Sequence, residues 1–168
     1  MDAGARRADA ADKRPASTAT GLRMSDEART TFLARPLIAR LATSDRNEPR
    51  VLPMWFYWDG ERVWMETGAD FPNARILRAN SRAAITFDES EGGLKLRAII
   101  MRGTVDVIDA PNEFIATTIR RIYVRYVGED GLQDPEVEAM VHGQHVILRF
   151  TPTFETSWDA TRVPARPR

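Results

Sequence analysis

Apolar and polar residues alternate with period two along much of this chain. Leu37, Ala39, Leu41 and Thr43 oppose Ile38, Arg40, Ala42 and Ser44, which predicts a strand over 37–44. After a DRNEP turn, Val51, Pro53, Trp55 and Tyr57 alternate with Leu52, Met54, Phe56 and Trp58. Both faces of this second strand are apolar, so both are expected to be covered, one by a core and the other by a partner or ligand. Pro53 cannot donate to a ladder, which predicts an edge, a bulge or an interruption at mid-strand. Asp59-Gly60 predicts a hairpin turn whose two positions favour φ > 0. Arg62, Trp64 and Glu66 then alternate with Val63, Met65 and Thr67 on the return strand. Further strands are predicted at 82–88, 95–108 and 144–154, with Gly103 as a bend or bulge in the long middle one.

Helical spacing interrupts this pattern in a few places. Ser25 is placed to cap a helix, with Asp26 and Glu27 in its first turn and Ala28, Phe32 and Leu33 on its core face. Arg35-Pro36 ends it. A helix over 73–79 carries Ala74, Ile76 and Leu77 toward the core and puts Arg75 and Arg78, three apart, on one face. Asp109 is expected to cap the next helix, with Pro111 in its first turn. Ile115, Ile119, Ile122 and Tyr126 form that helix's packed stripe, and Arg120, Arg121 and Arg125 cluster toward another face, either as a solvated surface or as a binding patch. PEVEAMV predicts a short additional helix. Six or seven strands and three helices, with hairpins between sequential strands, make the chain mainly β with helices (α+β). The pattern favours an antiparallel barrel with helices outside it over a doubly wound parallel sheet. Residues 1–22 lack apolar periodicity and read as a disordered tail, residues 23–158 as the domain and residues 159–168 as a C-terminal tail.

Composition narrows the chemistry. The 24 basic and 24 acidic residues balance, so no global charge draws the chain to nucleic acid or to an acidic membrane. Cysteine is absent, which excludes disulfides, thiolate metal sites and cysteine nucleophiles. No signal peptide or membrane-length apolar run is present, so a cytoplasmic protein is the expectation. The only histidines, His142 and His145, lie three apart but lack a clear third ligand, with Glu136 and Glu138 the nearest carboxylates, so no metal site is expected. Paired carboxylates for glycoside chemistry, a phosphate-binding P-loop and a GxSxG elbow are also absent.

The second hairpin strand ends at Thr67. A Gly68-Ala69-Asp70 loop and Pro72 then lead into the 73–79 helix. A strand end that runs into a helix N-terminus is a natural anion site, because unpaired N–H groups and the positive dipole end face outward. A plain hairpin followed by a helix is the alternative reading. Tyr57, Tyr123, Tyr126, His142 and His145 are the available proton donors, and each has a purely structural reading beside it.

The entry helix, then LIARLATSDRNEPRVLPMWFYWDGERVWMET, ARILRANSRAAITFD, RGTVDVID and TPTFETSW, in that order and spacing, resembles the pyridoxamine 5′-phosphate oxidase-like split-barrel flavoproteins, including their coenzyme F420-dependent branch. The resemblance covers residues 24–158. It implies a six- or seven-stranded antiparallel split β-barrel, a homodimer with the cofactor at the subunit interface, coenzyme F420 or FMN as cofactor, and a small-molecule substrate. It places phosphate-binding residues at Arg50, at Thr67 and on the following loop and helix (Asn73, Arg75, Arg78), and the ring along Pro53, Met54 and Trp55. The chain departs from the family pattern at Phe71, Pro72 and Asn73, where a Ser-Arg-Lys stretch is usual, and at Ile76, where an Asn is frequent. Losing two charge-assisted contacts at roughly 1.5–3 kcal/mol each would weaken phosphate binding by about two to four decades. Arg50, Arg75 or Arg78 could compensate from a neighbouring turn. Three readings follow: a flavin- or deazaflavin-dependent oxidoreductase, a non-catalytic protein that binds cofactor, haem or another ligand for storage or sensing, and a dimeric scaffold with a vestigial site.

Overall fold

The computed structural model describes residues 22–46, 48–91, 95–141 and 144–162. Along the chain these form α1 (Asp26–Leu33), β1 (Ala39–Asp45), β2 (Glu48–Met54), β3 (Tyr57–Trp58), β4 (Val63–Gly68), α2 (Pro72–Ala79), β5 (Arg82–Glu89), β6 (Arg97–Ile108), α3 (Asn112–Val127), α4 (Pro135–Val141) and β7 (His145–Asp159). Ser25 caps α1 as its sequence predicts, accepting the Ala28 N–H at 3.2 Å.

All seven strands join one antiparallel sheet in the order β2-β1-β5-β6-β7-β4-β3. Its two outermost strands, β2 and β3, are consecutive in sequence and only Trp55 and Phe56 separate them. Three Cα steps reach at most about 11 Å. The sheet therefore curls until its edges meet, and the chain, not a hydrogen-bond ladder, bridges the gap. The result is a split β-barrel. Pro53 lies on this edge strand, opposite Arg40, and pairing breaks one residue later. Gly103 marks the predicted irregularity: register shifts between Arg102 and Gly103, and a Cβ there would lie 2.1 Å from the Thr151 carbonyl oxygen.

Leu41, Phe56, Met65, Ile85, Phe87, Ile99, Met101, Leu148 and Phe150 are fully buried and fill the barrel. A second, smaller cluster lies outside it, where Ile119, Ile122 and Tyr123 of α3 pack on Ile147 with Trp55, Tyr57 and Trp64. Within a single chain, the second half of 51–58 is covered on both faces. Trp55 and Tyr57 meet α3, and Met54 and Phe56 enter the core. Glu48–Pro53 are exposed, and Val51 keeps 65% of its surface.

Several local expectations are corrected. The β3–β4 connection spans four residues, because Trp58 pairs with Val63. Only Gly60 there has positive φ (105°), while the Asp59 carboxylate accepts the Glu61 and Arg62 N–H groups. Asp109 does not cap α3, whose N-cap is Pro111; its carboxylate pairs instead with Arg78 at 2.7 Å. The three α3 arginines do not share a face: Arg120 and Arg121 are exposed, whereas Arg125 reaches the carbonyls of Leu33 and Arg35 just past α1. β7 runs beyond 154 to Asp159, whose N–H donates to the Leu22 carbonyl at 2.7 Å, and a 3-10 turn follows at Ala160–Arg162. The rest of both expected tails, 1–21 and 163–168, lies outside the described residues. No helix among the described residues is long and apolar enough to cross a membrane.

Candidate functional site

A cleft of about 680 Å³ opens where the split edge crosses the end of β4. Leu52, Pro53, Met54 and Trp55 form one wall; Glu66, Thr67 and Gly68 form the other; Ala69, Asp70 and Phe71 continue it toward α2. Chain alternation explains the second wall. Val63 and Met65 point into the barrel and are buried, Thr67 at the strand's end is buried where it lines the cleft, and Trp64 and Glu66 point the other way, toward α3. The Glu66 carboxylate accepts a hydrogen bond from the Tyr123 hydroxyl at 3.1 Å and lies 2.7 Å from His145 Nδ1. An ionised carboxylate only accepts, so this contact places a proton on Nδ1. Burial, and then the Glu66 charge, raises the Tyr123 phenol well above its ordinary value, and the hydroxyl stays protonated at neutral pH.

Trp55 is fixed by two tyrosines. Its ring stacks on Tyr126 (4.6 Å between centroids, 4° between planes) and meets Tyr123 edge-on at 5.0 Å. The Tyr126 hydroxyl donates to the Leu37 carbonyl at 2.6 Å and accepts the Phe56 N–H at 3.0 Å. This side chain thus satisfies two backbone groups left over where the strand breaks, and it takes no part in the cleft.

Pro53, Met54, Trp55 and Thr67 of the expected site come together in the cleft. Arg50, Asn73, Arg75 and Arg78 are not part of its lining. Arg50 is exposed on β2, opposite Thr43. Asn73 is half-buried in the first turn of α2. Arg75 lies 3.8 Å from Asp45, while Arg78 takes Asp109. One helix face thus sends its two arginines to different partners. No arginine or lysine lines the cleft among the described residues, and Glu66 and Asp70 do. Phe71 lacks a side-chain cap for α2, is 61% exposed and folds its ring against Gly68, where a Cβ would sit 2.9 Å from Cδ1. The sequence expectation omits Glu66. Its signal was a carboxylate next to Thr67 on the strand face that a helix covers, where a lone charge needs partners. Of the proton-donor candidates, Tyr123 and His145 line the cleft, Tyr126 is structural, Tyr57 packs with the α3 cluster and His142 lies outside the described residues.

An antiparallel sheet curled on itself, split at one seam and carrying a cleft at that seam, defines a split-barrel protein. The profile of the pyridoxamine 5′-phosphate oxidase family matches residues 25–159, and the chain belongs to that family. Its structure is similar to that of the conserved hypothetical protein Rv2991 from Mycobacterium tuberculosis (TM-score 0.73, 24% identity, covering 89% of this chain and 94% of that one). It is also similar to a protein described as an F420 reductase (TM-score 0.55, 28% identity, covering 74% and 93%). HutZ, the haem storage protein of Vibrio cholerae, shares the fold as well (TM-score 0.63, 17% identity, covering 80% and 94%). A comparison with curated proteins returns no match.

Proposed function

We propose that this chain is an oxidoreductase that binds coenzyme F420 or FMN in the seam cleft and passes a hydride between it and a small organic substrate. The observation that carries this reading is the wall formed by Pro53, Met54 and Trp55 opposite Thr67 at the start of the α2 approach. A flat ring system fits such a wall, because its apolar faces lose water against Met54 and Trp55 while its polar edges meet strand backbone. When bound, a reduced flavin or deazaflavin supplies two electrons as a hydride and is oxidised, while the substrate is reduced and takes up one proton. The chain needs no catalytic dyad for this. Trp55 is held rigid by its two tyrosines, Thr67 offers a hydroxyl to an anionic tail, and in the first turn of α2, where Pro72 has no N–H and Ala74 gives its own to the Phe71 carbonyl, the Asn73 N–H is left over.

The phosphate end is less well served within one chain. Arg50, one residue from the exposed Val51 on the open edge strand, is the nearest cation in sequence to the apolar wall. A second copy of the chain over Val51, Leu52 and Pro53 would cover this edge and close the cleft, which supports a homodimer with its site at the interface. A non-catalytic binding protein for cofactor, haem or another ligand is the second reading; among the described residues the cleft holds Glu66 and Asp70 and no arginine or lysine to grip an anionic cofactor tail for turnover.

Fluorescence titration of the purified protein with FMN and coenzyme F420, with haem as a control, tests the proposal. One of the two redox cofactors is expected to saturate at micromolar concentration or below, and Arg50→Ala to weaken it about tenfold, equivalent to about 1.4 kcal/mol. Saturation by neither would overturn the oxidoreductase reading. Tight binding of a reduced cofactor that never passes on its electrons would favour the second.

A further inference from the structure

A second chamber of about 620 Å³ adjoins the cleft and shares Ala69, Tyr123, Gln144 and His145 with it. Its long wall is one stripe of α3, where Asn112, Ile115, Ala116, Ile119 and Tyr123 recur at three- and four-residue spacing. Leu132 and Val137, from the turn and helix after α3, close the opposite side. The volume lies within the ~300–1,000 Å³ range of small-molecule sites.

The charges around this chamber decide what it can hold. Four charged or ionisable side chains line it: Asp109, Arg120, Tyr123 and His145. Asp109 is paired with Arg78, Arg120 with Glu129, and His145 with Glu66. The first two pairs are solvent-exposed and cost little to break, whereas the Glu66–His145 pair at the shared wall is largely buried, so an ionised group turned to that wall would enter uncompensated, which is costly. The remaining lining is alanine and branched aliphatic, with the amides of Asn112 and Gln144.

We infer that this chamber is a binding site for a neutral, largely apolar organic molecule that carries a hydrogen-bonding group, with that group turned to the shared wall at Tyr123 and His145. On the oxidoreductase reading, on which only this last assignment rests, the molecule is the substrate. It reaches the cofactor through the wall the two cavities share.

A matched pair of probes tests the inference on the full-length protein. N-phenyl-1-naphthylamine is neutral, and 8-anilinonaphthalene-1-sulfonate is the same framework with an anionic sulfonate. The neutral probe is expected to bind at least tenfold more tightly than the anion. Ala116→Trp, which fills the chamber from an exposed helix position, is expected to weaken the neutral probe at least tenfold and to leave thermal unfolding and cofactor titration unchanged. Excess FMN or F420 is expected not to displace the probe. Equal affinity for the two probes, no binding of either, indifference to Ala116→Trp, or displacement by cofactor would each overturn the inference. If neither cofactor binds but the neutral probe still responds to Ala116→Trp, the chamber stands and the oxidoreductase reading falls.

Discussion

Tyr123 and Tyr126 lie three residues apart on α3 and hold the same tryptophan ring, yet their hydroxyls do different work. Tyr126 spends its donor and its acceptor on backbone: the Leu37 carbonyl and the Phe56 N–H. Both groups are stranded because the chain leaves one edge of the sheet and joins the other at Trp55 and Phe56. Arg125 does the same for the carbonyls beyond α1, with its guanidinium 4.5 Å above the Phe56 ring. Tyr123 instead points its hydroxyl at an ionisable pair, Glu66 and His145, that lines open space. The difference teaches where the fold is finished and where it is left available. At the seam every polar atom of Tyr126 is answered from within the chain. At the cleft the polar atoms answer one another, and a ligand could add to the set.

The largest expected effect breaks the comparison on the structural side. Tyr126→Phe keeps the stacking on Trp55 but removes the partner of two backbone groups. Leaving them unmet costs roughly 1–3 kcal/mol, read as a lower urea midpoint with an unchanged m-value. Tyr123→Phe should cost less than about 1 kcal/mol, since Glu66 keeps His145 and faces the cleft. A larger loss from Tyr123→Phe than from Tyr126→Phe would reverse the assignment.

The pH dependence sharpens the same contrast. The folded state holds the Tyr123 proton more tightly than the unfolded chain, whose tyrosines titrate near the ordinary value of about 10. Stability from this group is therefore full below pH ~10 and is lost as pH rises above it, where only the unfolded chain releases the proton. Tyr123→Phe should flatten that alkaline loss, measured as urea midpoints from pH 8 to 11. An alkaline limb identical to the wild type would show that the phenol does not titrate with folding.

What could be read from sequence was local or tied to one residue's chemistry. Pro53 marks a strand that cannot donate at its middle, and the structure puts it on an edge next to a break. Gly103 marks a backbone that meets Thr151 too closely for a side chain. The Ser25 cap needs only its own first turn. Features set by distant partners were not legible. Asp109 has the composition of a cap, but Arg78, 31 residues away, takes its carboxylate. Arg125 sits on the same helix as two exposed arginines, and only the carbonyls at the end of α1 and the Phe56 ring draw it half out of solvent. The Glu66–Tyr123–His145 cluster joins residues 57 and 79 positions apart, and no spacing rule connects them. Four of the expected site residues share the cleft because they sit on two strand ends that the seam brings together. The arginines expected beside them were read from a helix face whose neighbours the sequence does not reveal.

The most direct test of the central claim, that the seam cleft is the cofactor site, is titration of the redox cofactor against Thr67→Val. This change conserves shape at the strand's end and removes only the hydroxyl at the cleft. The account predicts affinity about tenfold weaker than wild type, with an unfolding midpoint within the range of a surface substitution. Wild-type affinity in Thr67→Val would contradict it and move the anionic tail of the cofactor, if one binds, away from the end of β4.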